Sequence, residues 1–187
     1  ESEYGFQKLA AYFQSFFKVS EAVKLDFSLR LEDYSYEYKG RAIDNYYYTN
    51  IPTVNFVQSK EDRNPMLGYR IALSYKHMFF KNLYISYARG YKAGGANQEP
   101  FLDVVNRPYG PEFLDNFEFG FKTTVKEKYI ISFTGFYGLR TDQQVSVSSQ
   151  QDLGNPNSFY FYTANSGKGF LKGFESELRY KLLSSFE

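Results

Sequence analysis

From Lys24 to Leu31 every second residue is apolar. Leu25, Phe27, Leu29 and Leu31 fall on one side of an extended chain, and Lys24, Asp26, Ser28 and Arg30 on the other. A period of two belongs to a strand whose two faces meet different surroundings, because successive side chains point to opposite sides. The pattern recurs in Leu67, Tyr69, Ile71, Leu73 and Tyr75, in Leu83, Ile85 and Tyr87, and in Phe117, Phe119 and Phe121. It continues through Tyr129, Ile131, Phe133, Gly135, Tyr137 and Leu139. A last run sets Phe174, Leu178, Tyr180 and Leu182 outward against Glu175, Glu177, Arg179 and Lys181 inward. Leu9 to Phe17 reads as a less regular first strand. The expected fold is all-β with about seven long strands. At Glu32-Asp33 the alternation slips and resumes on Tyr34, Tyr36 and Tyr38 in the opposite parity, which predicts a β-bulge and places these tyrosines in an interfacial girdle.

Strands of roughly 10 to 16 residues exceed the 5 to 6 common in soluble proteins. The connections alternate too. Turns near Ser20-Glu21, Lys81-Asn82 and Glu127 are tight, whereas 39–65, 93–115 and 148–158 are long and polar. Short turns at one end and long loops at the other characterise bacterial outer-membrane barrels. Composition agrees: 19 Tyr and 20 Phe in 187 residues coexist with a mean hydropathy of −0.50. A barrel reconciles the two by showing lipid only every second residue. No run approaches the roughly 18 to 20 apolar residues of a membrane helix. A net charge of +1 gives no footprint for nucleic acid, and the absence of Cys is compatible with passage through an oxidising periplasm. An odd count of about seven strands does not close a bacterial single-chain barrel, which has an even number and at least 8, and open edges are not tolerated in lipid. With no leader-like segment at Glu1-Ser2-Glu3, the expectation is that 1–187 form one partial antiparallel transmembrane β-barrel domain.

Three segments carry a family resemblance. The run Leu83-Tyr84-Ile85-Ser86-Tyr87-Ala88-Arg89-Gly90-Tyr91-Lys92-Ala93-Gly94-Gly95-Ala96-Asn97 resembles a barrel strand of TonB-dependent receptors that ends in Gly-Tyr-Lys-x-Gly-Gly at the outer rim. Glu118-x-Gly120-x-Lys122 and Asp142-x-Gln144 resemble the next two strands of that family. Asn165-x-Gly167 followed by Gly173-Phe174-Glu175-x-Glu177 is similar to its Asn-Ala-Gly and Gly-Phe-Glu-x-Glu pattern, with Ser166 in place of Ala. The resemblance covers 83–182 well and 1–82 by architecture alone. It implies a barrel of about 22 strands around a plug, with the plug, its TonB-contacting box and the remaining strands outside this sequence. It also implies an outer membrane of a Gram-negative bacterium, membrane lipid as surroundings, TonB as partner through the missing plug, and import of a small-molecule nutrient. Such cargo includes ferric siderophores, haem, cobalamin and oligosaccharides.

Catalysis finds little support. His77, the one histidine, shares the parity of Leu73 and Tyr75 and reads as a periplasmic-end belt residue; a metal site would need further ligands at fixed geometry. No Gly-x-Ser-x-Gly elbow frames a serine. Gly90, Gly94 and Gly95 lack the following helix and Gly-Lys-Ser/Thr of a phosphate loop and read as a strand end. No catalytic residue, metal site or cofactor is therefore expected, and the chain is expected not to be an enzyme. Inward charges such as Lys24, Asp26, Arg30, Arg70, Lys76, Glu118 and Lys122 read as a hydrated lumen wall. Candidate ligand contacts are Arg89 and Lys92, which suit an anion, with Asn97 in the same run. Tyr47 in Tyr46-Tyr47-Tyr48 and Tyr160 in Phe159-Tyr160-Phe161-Tyr162 are candidate stacking platforms. The leading expectation is an active-transport receptor. A passive porin-like channel, and a soluble all-β binding module, are the alternatives.

Overall fold

A computed structural model describes residues 2–42, 56–98, 102, 104–150, 154–157 and 159–180. Its strands are β1 (Ser2–Lys18), β2 (Val23–Ala42), β3 (Phe56–Tyr75), β4 (Asn82–Lys92), β5 (Gly95–Ala96), β6 (Pro108–Tyr109), β7 (Glu112–Val125), β8 (Tyr129–Thr141), β9 (Gln144–Gln150), β10 (Phe159–Asn165) and β11 (Gly169–Tyr180). Seven of them form one sheet in the order β1-β2-β3-β4-β7-β8-β11, each neighbour antiparallel. The pairs β5-β6 and β9-β10 stand apart as small sheets within two of the long connections.

The alternation seen in the sequence becomes two continuous faces, because the ladder pairs residues of like direction. Leu25 faces Leu73 and Leu73 faces Ile85; Phe121 lies between Leu83 and Phe133. On the last step the ladder pairs odd with even numbers, so Phe174 opposes Gly135 and Leu178 opposes Ile131. The apolar face is left open: Phe13, Phe174 and Leu178 are 56%, 74% and 67% exposed. A face this apolar needs a non-aqueous solvent. Its lower boundary also steps across the sheet. Val23, where β2 begins, is linked through Tyr75, Leu83 and Phe121 to Phe133 on β8, yet β8 begins at Tyr129, four residues further down. Four residues over the four steps from β2 to β8 is about one per strand. With a rise of ~3.3 Å and a strand spacing of ~4.8 Å, that shift corresponds to a tilt of about 35°, as in outer-membrane barrels.

The short connections 19–22, 76–81 and 126–128 lie at one end. Ser20 Oγ accepts from the Ala22 and Val23 amides. In the tightest turn, Lys126 and Glu127 take φ of 51° and 57°, and the Lys128 amide donates to the Val125 carbonyl at 3.2 Å, the mirror-image turn whose twist suits a hairpin. His77 stands among the exposed aromatics at this end, between Tyr75 and Phe79 at 5.9 and 5.6 Å.

Four expectations are corrected. No bulge interrupts β2: every residue from Val23 to Ala42 pairs one-to-one with β3. Tyr34, Tyr36 and Tyr38 therefore stay on the face of Arg30 and belong to the inner wall instead of an interfacial girdle. Polarity inverts there for another reason. A membrane strand needs about 9 to 11 residues, and β2 and β3 have 20 each, so about half of each is in excess of what a lipid-spanning stretch requires. Outward positions become polar (Asp33, Ser35, Glu37, Arg63), and the inward tyrosines gain apolar neighbours. The stretch 39–65, expected to be a loop, contains strand up to Ala42 and from Phe56 onward. Likewise, 93–115 holds β5, β6 and the start of β7 at Glu112, and 148–158 is not simply loop, because β9 extends to Gln150.

Candidate functional site at the outer rim

Above the inner wall of β2 to β4, the connection between β4 and β7 folds back over the sheet. Tyr36 and Tyr38, 2% and 3% exposed, form a small core with Ala96, flanked by Tyr4 and Tyr34. Tyr38 Oη donates to the Gln98 carbonyl at 3.3 Å. Burial pushes the Tyr36 phenol up to about 12, with the Asp62 carboxylate adding to the shift. Gly94 and Gly95 are where this connection meets its own return. A Cβ on Gly94 would sit 2.4 Å from the Tyr109 carbonyl oxygen, and one on Gly95 would sit 2.6 Å from the Tyr109 hydroxyl. Only glycine admits backbone that close. Further round, Leu102 is buried and the Arg107 Nε donates to its carbonyl at 2.8 Å.

Polar side chains then tie this connection to the hairpin β9-β10. Asn97, 9% exposed, donates through Nδ2 to the Thr163 carbonyl at 2.7 Å, and its Oδ1 accepts from the Thr163 amide at 2.7 Å. The same Nδ2 lies 3.1 and 3.2 Å from the Asn106 and Arg107 carbonyls. Asn165 holds both polar groups of Gly110: its Oδ1 accepts from the amide at 2.6 Å, and its Nδ2 donates to the carbonyl at 3.0 Å. Asn165 Nδ2 also reaches the Asp142 carbonyl at 2.8 Å, where the chain takes a positive φ of 53° on leaving β8. Gln144 donates through Nε2 to the Ala93 and Gly110 carbonyls at 2.8 and 3.1 Å. Its amide donates to Glu112 Oε2 at 3.0 Å, while Glu112 Oε1 meets Arg140 at 3.2 Å.

A second polar cluster lies lower on the inner wall. Glu32, its side chain 2% exposed, accepts from Lys8 at 2.8 Å, from Arg30 at 2.6 and 3.1 Å, and from Tyr91 at 3.2 Å. Tyr91 reaches it by crossing β3 over Gly68, where a Cβ would come within 3.0 Å of the Tyr91 ring. The cluster borders a concavity of ≈ 500 Å³ that Tyr12 and Arg70 also line. Among the residues that line it, one carboxylate stands against Lys8, Arg30, Arg70 and Arg89, so the concavity is net cationic.

The sequence-predicted contacts separate on this geometry. Arg89 lies on the outward parity of β4, 3.7 Å from Asp115 and with its guanidinium 4.9 Å from the centre of the Phe113 ring. Lys92 is exposed at the end of β4, opposite Glu112 in the ladder. Asn97 is buried between the two loops. Tyr160 is half-buried on β10, 6.0 Å from Tyr162. Tyr47 lies outside the described residues. The structure thus brings together Asn97, Gln144 and Asn165, sets Arg89 at the border of the ≈ 500 Å³ concavity beside Arg30 and Tyr91, and leaves Tyr160 elsewhere. Lys8, Glu32 and Tyr91 were missed as a group; carrying the parity of Arg30 past Leu31 would have put Glu32 on the inner wall. Among the described residues no cluster of His, Cys, Asp or Glu could hold a metal ion.

A tilted antiparallel sheet with one lipid-compatible face, one charged face and all long connections at one end is a segment of an outer-membrane-type β-barrel. The sequence matches the family described as "TonB dependent receptor-like, beta-barrel" over residues 2–186, and the chain belongs to that family. Solved structures share the fold. The ferric yersiniabactin uptake receptor FyuA from Yersinia pestis superposes with a TM-score of 0.75 at 17% identity, over 98% of this chain and 25% of that one. The ferric-catecholate import receptor Fiu from K12 E. coli gives 0.69 at 14%, over 98% and 27%. The siderophore receptor PiuA from Acinetobacter baumannii gives 0.67 at 17%, over 98% and 24%. The chain therefore spans about a quarter of their length. No curated protein matches the sequence.

Proposed function

We propose that these residues form part of the wall and outer rim of an outer-membrane receptor that captures a scarce nutrient and imports it with energy relayed by TonB, without covalent chemistry. Family membership supports receptor function. The observation that carries the reading is the inner wall: a cationic concavity at Lys8, Arg30 and Arg70 lies beneath long connections folded over the same face. Cations with neutral tyrosine hydroxyls beside them suit an anionic, oxygen-rich ligand. The similar structures include receptors for ferric yersiniabactin and ferric catecholates, so a ferric siderophore is the favoured cargo.

The test uses the intact receptor in its native outer membrane. Radioiron-loaded catecholate, hydroxamate and phenolate siderophores are offered to cells with and without a functional TonB. Saturable uptake of at least one of them, lost without TonB and reduced by Arg30→Ala with Arg70→Ala, is expected. Entry that persists without TonB and rises linearly with concentration would favour a passive channel and overturn the proposal, as would failure to take up any of the three classes.

A further inference from the structure

The motif residues at the rim do something more specific than end strands. We infer that Asn97 and Asn165 are positioning residues that lock the β4–β7 connection and the β9-β10 hairpin into a single rigid body at the barrel mouth. Besides these ties, the hairpin is held at its base, where Gln144 meets Ala93, Gly110 and Glu112. It forms its own two-stranded sheet and shares no ladder with the seven-stranded one. At its base, Ser166 donates to the Gln143 carbonyl at 2.6 Å. Isolated hairpins of two strands are marginal in water, so the orientation of β9-β10 depends on what clasps it.

The clasp is bilateral. Asn97 reaches from the β4–β7 connection into the middle of β10 and satisfies both backbone groups of Thr163. Asn165 reaches from the end of β10 back to Gly110 and satisfies both of its backbone groups. Each side therefore supplies one amide side chain that replaces a ladder rung in the other. An amide offers a donor and an acceptor in one plane, as a peptide group does; aspartate lacks the donor and alanine lacks both. Because the β4–β7 connection is also seated on Tyr36 and Tyr38 through Ala96 and Gln98, a displacement of the hairpin is passed to the inner face of β2. The inference concerns mechanical coupling and holds for any cargo.

Cysteine is absent from the 187 residues, so spin labels can be set at Val105→Cys and Phe161→Cys, 79% and 69% exposed, in the full-length receptor in lipid vesicles with any cysteines elsewhere replaced. Dipolar spectroscopy then reads the distance distribution between the two segments. A single narrow distribution is expected in the labelled receptor, broadening by about twofold or more in the Asn97→Ala/Asn165→Ala background, with the heat-modifiable gel shift of a folded barrel retained. Should the double variant fail to fold, Asn165→Asp alone, which keeps the acceptor and loses both donors, is expected to broaden it in the same direction. A distribution already broad with both asparagines present, or one equally narrow without them, would overturn the inference. Neither result depends on whether the receptor transports anything.

Discussion

Gly120 is the central residue of the Glu118-x-Gly120-x-Lys122 run, and the structure gives a physical reason for it. A Cβ there would lie 2.6 Å from Tyr84 Cε1, 2.8 Å from Tyr84 Cζ and 2.8 Å from the Phe133 carbonyl oxygen. Tyr84 lies across Gly120 to meet Thr134, hydroxyl to hydroxyl, at 3.2 Å, and Phe133 is fixed in the β7-β8 ladder. Gly120→Ala must therefore push the ring aside or shift the strand. Overpacking of this kind costs about 1 to 3 kcal/mol, and the displaced Tyr84 loses a hydrogen bond with a net value of about 1 kcal/mol. Restricting the unfolded chain offsets about 0.4 to 1 kcal/mol. The net expectation is a loss of about 2 kcal/mol, read from urea unfolding of the full-length receptor refolded into vesicles. The decisive comparison is a double-mutant cycle with Tyr84→Ala. With the ring removed, only the Phe133 carbonyl of these close neighbours still crowds the added methyl, and the cost of Gly120→Ala should fall by at least about 1 kcal/mol. An equal cost in both backgrounds would refute the steric account and put the strain in the backbone.

Three further outcomes follow from the same geometry. Glu127→Gly should stabilise the barrel by about 0.5 to 1 kcal/mol in urea titration, because a non-glycine residue at φ 57° carries a left-handed penalty that glycine avoids. The Tyr36 phenol, held up to about 12 by burial, contributes stability that is fully present below the ordinary tyrosine value near 10 and is lost as pH rises from there through 12. A phenolate absorbance titration of the native receptor should accordingly lose one late-titrating group in Tyr36→Phe. Glu32→Gln leaves Lys8 and Arg30 without their shared carboxylate, so the variant should unfold at lower urea than wild type at low salt. The gap should narrow at 1 M salt, where screening acts over about 3 Å; a gap independent of salt would contradict the electrostatic account.

Much of the architecture was legible in the alternation itself. Leu25 to Leu31 and Leu67 to Tyr75 name their own lipid face, because a one-residue slip would turn every apolar side chain inward. The alternation of short and long connections orients the strands. What parity could not supply was the height at which lipid ends. The tyrosines after Asp33 looked like a change of register because the sequence shows polarity, not position, and at that height the solvent changes while the ladder continues.

The rim shows the other limit. Asn97 and Asn165 were visible as members of motif runs, but nothing local distinguishes an asparagine facing a ligand from one spent on another loop's backbone. Their partners, Thr163 and Gly110, are 66 and 55 residues away. Tyr91 likewise shares the parity of Tyr87, yet it crosses the neighbouring strand over Gly68, where a Cβ would crowd its ring at 3.0 Å, to reach Glu32. The sequence by itself determined the strands and their faces, which rest on a period of two that each strand carries alone, and the family, which rests on short motif runs at strand ends. Tertiary structure decided which polar residues remain available to a ligand, because hydrogen bonds between segments distant in the chain consume donors and acceptors that no local pattern records.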